Sequence, residues 1–199
     1  MNSSKGTRRA DAGKLRIIGG KYRSRVLRVA ARPGLRPTPD RVRETLFNWL
    51  GQDLSGLACL DLFAGSGALG FEAASRGAVR VVMVEQDRTA LAELDRSRAA
   101  LGAEQVLIVA SDAHAFLVRE KECFDVVFLD PPFRQNAVPD LLAKLPPRLL
   151  RGARVYVESG APVAVMSPWT ELKHARAGQV SYQLLRWDGH DQSGLSGNV

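Results

Sequence analysis

From Leu57 onward, short continuous apolar runs alternate with segments whose apolar residues recur at helical spacing, the pattern of βαβ units around a parallel sheet. The runs predict strands near 58–62, 79–85, 106–110, 124–129 and 154–158, with helices near 68–76, 88–101, 113–120 and 138–145. Glu171 to Ala177 and Gln179 to Trp187, joined by Gly178, read as an antiparallel hairpin that completes the sheet. Upstream, Leu15-Arg16-Ile17-Ile18 and Tyr22 to Val29 flank Gly19-Gly20-Lys21, which predicts two short strands and a glycine turn, with alternating arginines giving the ribbon one basic face. A helix should then run to Leu50, with Thr38 as N-cap, Pro39 at the first helical position and Asp40 in the first turn. Val42, Leu46, Trp49 and Leu50 make its packed face, so Arg41 and Arg43 should point elsewhere.

The first strand of the body ends in Asp61 and turns on Gly65, Gly67 and Gly70 into a helix, with Glu85 ending the next strand. Alone, that spacing suits any dinucleotide or merely a Gly-rich turn with a capping Asp. A carboxylate at the strand end would repel a pyrophosphate, whereas S-adenosylmethionine has no phosphate and carries an ammonium and a sulfonium. Glu85 can accept hydrogen bonds from both ribose hydroxyls. Asp112, after the third strand, can accept from an adenine amine while the Ala113 N–H donates to a ring nitrogen, although a plain N-cap explains Asp112 equally well. Ala64 and Gln86, in the same turns, join Asp61, Gly65, Gly67, Glu85, Asp112, Ala113 and Thr38 as candidate cofactor residues.

The fourth strand ends in Asp130-Pro131-Pro132-Phe133. Neither proline donates a backbone hydrogen bond, so the Pro131 carbonyl and the Asp130 carboxylate can converge as acceptors beside the flat ring of Phe133. That set suits an amino group on a planar base. Its lone pair is delocalised into the ring, and hydrogen bonds from both its protons would favour a pyramidal nitrogen able to attack a sulfonium methyl. Asp130, Pro131, Pro132 and Phe133 are therefore the catalytic candidates, with Asp130 accepting the released proton and Phe133 stacking on the base.

Composition adds a partner. The net charge is +7, and basic residues dominate from Lys5 to Arg43, opposed there by only Asp11 and Asp40. The asymmetry points to nucleic acid, with Arg16, Lys21, Arg23, Arg25 and Arg28 as candidate phosphate contacts. Cys59 and Cys123 lack metal-ligand spacing and read as buried small hydrophobes; no metal is expected. No signal-peptide core or membrane-length apolar run is visible, so a soluble cytoplasmic protein is expected. The chain divides into a flexible basic segment 1–13, a hairpin and helix 14–50, the body 51–187 and a disordered tail 188–199.

Asp61-Leu-Phe-Ala-Gly-Ser-Gly67 together with Asp130-Pro-Pro-Phe133 resembles the Rossmann-like S-adenosylmethionine-dependent amino-methyltransferases. Arg16-Ile-Ile-Gly-Gly-Lys-Tyr-Arg23 and Arg36-Pro-Thr-Pro-Asp-Arg-Val-Arg-Glu-Thr-Leu-Phe-Asn48 narrow the likeness to the RsmD family, bacterial enzymes that methylate N2 of guanine-966 in 16S ribosomal RNA. It spans about Leu15 to Trp187. The resemblance implies an α/β fold with a seven-stranded sheet whose last strand is antiparallel. It also implies cofactor contacts at Asp61, Gly65, Glu85, Asp112 and Ala113, the Thr38 to Arg43 segment near the cofactor, and Asp130 to Phe133 at the reacting base. The implied partner is 16S rRNA, in a small subunit or an assembly intermediate, and nothing in the pattern demands more than a monomer. Rival readings are a DNA adenine-N6 or cytosine-N4 methyltransferase, a non-catalytic RNA-binding protein with a vestigial pocket, and an NAD-dependent oxidoreductase. The first lacks an evident target-recognition domain, and Asp61 opposes the last.

Overall fold

A computed structural model describes residues 13–29, 38–132 and 137–189. Within them, two short strands, β1 (Gly13–Arg16) and β2 (Val26–Val29), form a separate antiparallel ribbon ahead of helix α1 (Asp40–Trp49). The body follows as β3 (Ala58–Asp61), α2 (Ala68–Ser75), β4 (Arg80–Glu85), α3 (Arg88–Leu101), β5 (Val106–Ala110), α4 (Ala113–Arg119), β6 (Phe124–Leu129), α5 (Val138–Lys144), β7 (Leu149–Ser159), β8 (Trp169–Ala177) and β9 (Val180–Trp187). The seven-stranded sheet runs β5-β4-β3-β6-β7-β9-β8, parallel except for β9, which is antiparallel to both neighbours. Strand order reverses between β3 and β6, and a crevice opens at the carboxyl ends of strands at such a point.

Alternation along the strands splits the core into two layers. Cys59, Met83, Phe128 and Tyr156 face α1, α2 and α3, while Leu60, Val82, Val127 and Val155 face α4 and α5. Local chemistry fixes the helix ends. Asp87 caps α3 by accepting from the Thr89 and Ala90 amides at 3.0 and 2.9 Å, and Gly102, at φ 60°, ends it. Gly67 enters α2 in the left-handed region at φ 79°, where a Cβ would lie 2.5 Å from Phe71.

The amino-terminal ribbon departs from the pattern-based expectation. β1 starts two residues before the expected 15–18 and β2 is half the expected 22–29, because most of residues 18–24 are pinned to α2 or turn on themselves, with only Ile17 still bonded across to Ser24 and Arg25. Ile18 and Gly19 amides donate to the Glu72 carboxylate at 2.9 and 2.8 Å, and the Lys21 amide donates to the Ser75 carbonyl at 2.7 Å. Gly20 passes so close that a Cβ would meet the Ser75 oxygen at 1.8 Å.

Other expectations are corrected too. Thr38 is buried but makes no cap bond; Pro39 occupies the N-cap position of α1. Arg43 does not point away from the body: it is 0% exposed, and donates to Glu72 at 3.3 Å, Asp40 at 2.7 Å and the Arg16 carbonyl at 2.8 Å. Cys59 is buried as expected, but Cys123 is half-exposed, its thiol 3.7 Å from the Pro147 carbonyl oxygen. β7 starts five residues before the expected 154, and Gly13 belongs to β1. Asp188 is ordered by Arg186 and Thr170, while residues 1–12 and 190–199 lie outside the described residues. Among the described residues, no helix is long and apolar enough to cross a membrane.

Candidate active site

Asp61, at the carboxyl end of β3, pairs with Phe128 of β6, so Asp130 lies two residues further along and on the same face. The same alternation brings Glu85 of β4 and Glu158 of β7 to this face, two residues past Met83 and Tyr156 of the core layer beneath α1 to α3. In sheet order the row reads Glu85, Asp61, Asp130, Glu158, across the reversal of strand order.

Each carboxylate is fixed differently. Asp61 is 2% exposed and accepts from the Gly70 amide at 3.1 Å. Burial pushes its carboxyl up to about 7, against the amide bonds from Gly70 and Phe63, and the neighbouring Glu85 adds to the rise. Among the described residues no Lys or Arg stands within ion-pair distance of it. A desolvated carboxylate of this kind lacks a cation, and the ammonium of an amino-acid moiety is one that fits. Glu85 accepts from the Gly65 amide at 2.9 Å with one oxygen, and from Gln86 and Asp87 amides at 2.9 and 2.8 Å with the other. That fixes its orientation beside the glycine turn. Ala64 is committed to the same turn, its amide bonded to Val84 and its carbonyl to the Gly67 amide; Gln86 is exposed beside it.

Asp112 caps α4, accepting from His114 and Ala115 amides at 2.9 and 3.1 Å, both on Oδ1. The capping reading therefore holds. It leaves room for the ligand reading, since both cap bonds end on one oxygen and the Ala113 N–H, at the first helical position, has no intrahelical acceptor. Asp130 is half-buried, and burial, with Glu158 and Asp61 close by, raises its carboxyl well above the usual carboxylate range. Pro131 is buried and Pro132 exposed; Phe133 lies outside the described residues.

Sequence reasoning alone misses Glu158. It is 6% exposed and accepts from the Tyr156 hydroxyl at 2.7 Å. The only signal is its place at the end of an expected strand, and a linear pattern does not reveal which carboxylate it stands beside. Arg16, Lys21, Arg23, Arg25 and Arg28 are all exposed. Arg16 and Arg28 are on β1 and β2, and Arg25 continues the ribbon, its carbonyl accepting from the Ile17 amide at 2.9 Å, whereas Lys21 and Arg23 are on the turn beside the carboxyl end of α2. Lys14 sits directly opposite Arg28.

A family profile described as conserved hypothetical protein 95 matches residues 15–186. The ribosomal RNA small subunit methyltransferase D of Escherichia coli strain K12 is 43% identical over 188 residues, covering 92% of this chain and 94% of its own. That of Haemophilus influenzae is 43% identical over 182 residues, covering 87% and 94%. A solved structure from Escherichia coli, described as a methyltransferase, superposes with a TM-score of 0.82 at 43% identity, covering 89% of this chain and all of that one.

Proposed function

We propose, from the premise that this chain belongs to the RsmD family described as conserved hypothetical protein 95, that it methylates N2 of guanine-966 in 16S rRNA with S-adenosylmethionine as donor. The observation that carries the reading is the adjacency of Asp61 and Asp130 on one face of neighbouring strands, where a donor cation and a target amine would meet. When bound, S-adenosylmethionine supplies an electrophilic methyl group. Asp61 would hold its ammonium, Glu85 its ribose hydroxyls, and Asp112 with the Ala113 N–H its adenine; Gly65 and Gly67 let the backbone approach closely, with Thr38 nearby. Asp130 and the Pro131 carbonyl would accept the two N2 hydrogens, the Pro131-Pro132 turn fixes that corner, and Phe133 would stack on the base. Asp130 then takes the proton that N2 loses as it gains the methyl.

Labelled S-adenosylmethionine offered with small ribosomal subunits or with duplex DNA tests the reading. Label is expected as N2-methylguanine in 16S rRNA; label confined to DNA would overturn it.

The Asp61 carboxyl gives this reading a pH dependence. Folding lifts it from 3.8 to about 7, so the unliganded fold takes up a proton between those values and loses stability as pH rises through them. A bound ammonium favours the ionised form. Affinity for S-adenosylhomocysteine, measured by calorimetry, should therefore fall as pH drops below about 7, by about tenfold per unit. Asp130 and Glu158, whose carboxyls burial also raises on this face, make the fall steeper if binding releases their protons as well.

Lys14 opposite Arg28 is a like-charge cross-strand pair, unfavourable unless an anion lies across it. An RNA phosphate there would release counterions. Replacing Lys14 and Arg28 by Ala should flatten the log–log salt dependence of RNA binding by about 0.7, the share of one phosphate that is no longer neutralised. An unaltered slope would remove the ribbon from the binding surface.

A further inference from the structure

The row of carboxylates does not stop at Asp130. The β6–β7 register pairs Leu129 with Val157, so the next pair along is Asp130 and Glu158, on strands about 4.8 Å apart. Both belong to the face of Phe128 and Tyr156, the face that carries Asp61. Glu158 is on the side of Asp130 away from Asp61, hence away from the cofactor residues and toward any base that Asp130 holds. Its Oε1 is taken by the Tyr156 hydroxyl, itself fully buried, so the carboxylate is anchored from below and its Oε2 can serve another donor.

Two neighbouring carboxylates in a desolvated corner form an acceptor–acceptor pair and are short of donors. Burial raises the proton affinity of Glu158, as it does that of Asp130, and the Tyr156 bond offsets only part of the rise at Glu158. The Watson–Crick edge of guanine carries adjacent donors, N1–H and the N2 amine. Adenine and cytosine place an acceptor beside their amine, which would face a carboxylate lone pair. We propose that Glu158 accepts the N1–H of the target guanine while Asp130 accepts from N2, and so selects guanine over bases with an acceptor at that position. The inference rests on the guanine-N2 reading above and adds the residue that chooses the base.

The test uses small ribosomal subunits reconstituted on 16S rRNA carrying guanine or 2-aminopurine at the methylated position. 2-Aminopurine keeps the N2 amine but has an acceptor at N1. The full-length wild-type protein is expected to prefer guanine in kcat/KM by at least about tenfold, the worth of a hydrogen bond to a charged group. In Glu158→Gln the Tyr156 hydroxyl can still donate to the side-chain oxygen, which turns the amide N–H toward the base. That variant should lose the preference or favour 2-aminopurine, with S-adenosylhomocysteine affinity unchanged. Equal wild-type rates on the two bases, or a guanine preference kept intact in Glu158→Gln, would overturn the role of Glu158. Absence of any N2-methylguanine from the wild-type reaction would instead sink the underlying reading, and the selection with it.

Discussion

Replacement of Asp130 by Ala is expected to slow methyl transfer about a thousandfold, the scale of losing a preorganised group that acts mainly in the transition state, while leaving S-adenosylhomocysteine binding intact. The split follows from position: Asp130 is two residues beyond the partner of Asp61, and in the proposed reading it holds the base while Asp61 and Glu85 hold the cofactor. Without it, N2 loses one of two acceptors that favour a pyramidal nitrogen, and the group that takes its proton. Asp130→Asn keeps an acceptor oxygen but a far weaker base, so it should fall between wild type and Ala. Stability supplies a control. Asp130 is crowded by burial, Glu158 and Asp61, all of which disfavour its ionised form, so removing it relieves repulsion and should not lower the melting midpoint. Single-turnover transfer to small subunits, read beside a melting curve, separates the outcomes; a fully active Ala variant would strip Asp130 of its role.

The second large effect is structural. Glu72, 0% exposed on α2, accepts from the Ile18 and Gly19 amides, from Arg43 and from Arg76, and thereby fastens the ribbon, α1 and α2 together. Replacing it by Ala strips Arg43, also 0% exposed, of its buried carboxylate, leaves it only the exposed Asp40 as an acidic partner among the described residues, and strands two amides beside it. Removing one partner of a buried pair costs about 3–5 kcal/mol, roughly a 10 °C drop in melting midpoint for a chain of this length. Substituting Arg43 by Met in the Glu72→Ala background should recover part of the loss, because the stranded charge goes with it. A midpoint shift below about 2 °C in the single variant, less than 1 kcal/mol at this size, would show that water or another group takes up the charge.

The body is legible in the sequence because its central strands are buried on both sides. Arg80–Glu85 is apolar between its charged ends, and Phe124–Leu129 is apolar apart from Asp125, so their ends fall within a residue of the expected ones. Asp61 and Asp130 are legible for the converse reason, as acids at the ends of apolar runs where nothing structural demands a charge. Arg43 escapes a linear reading because charge ordinarily signals exposure; its partner Glu72 sits in a helix buried over its whole length, which has no amphipathic stripe to interpret. The ribbon's strand ends are hidden because they depend on the Glu72 carboxylate and the Ser75 carbonyl, more than fifty positions away in the chain. Glu158 needs the register of β6 against β7 to gain meaning.

The position of β9 between β7 and β8 has a consequence for biosynthesis. A nascent polypeptide emerged only as far as Gly178 holds β8 without its pairing partner and β7 with an open, apolar edge. Among the described strands the one made last seals the sheet, so premature termination within 179–187 leaves a sticky template for aggregation and no shortened enzyme.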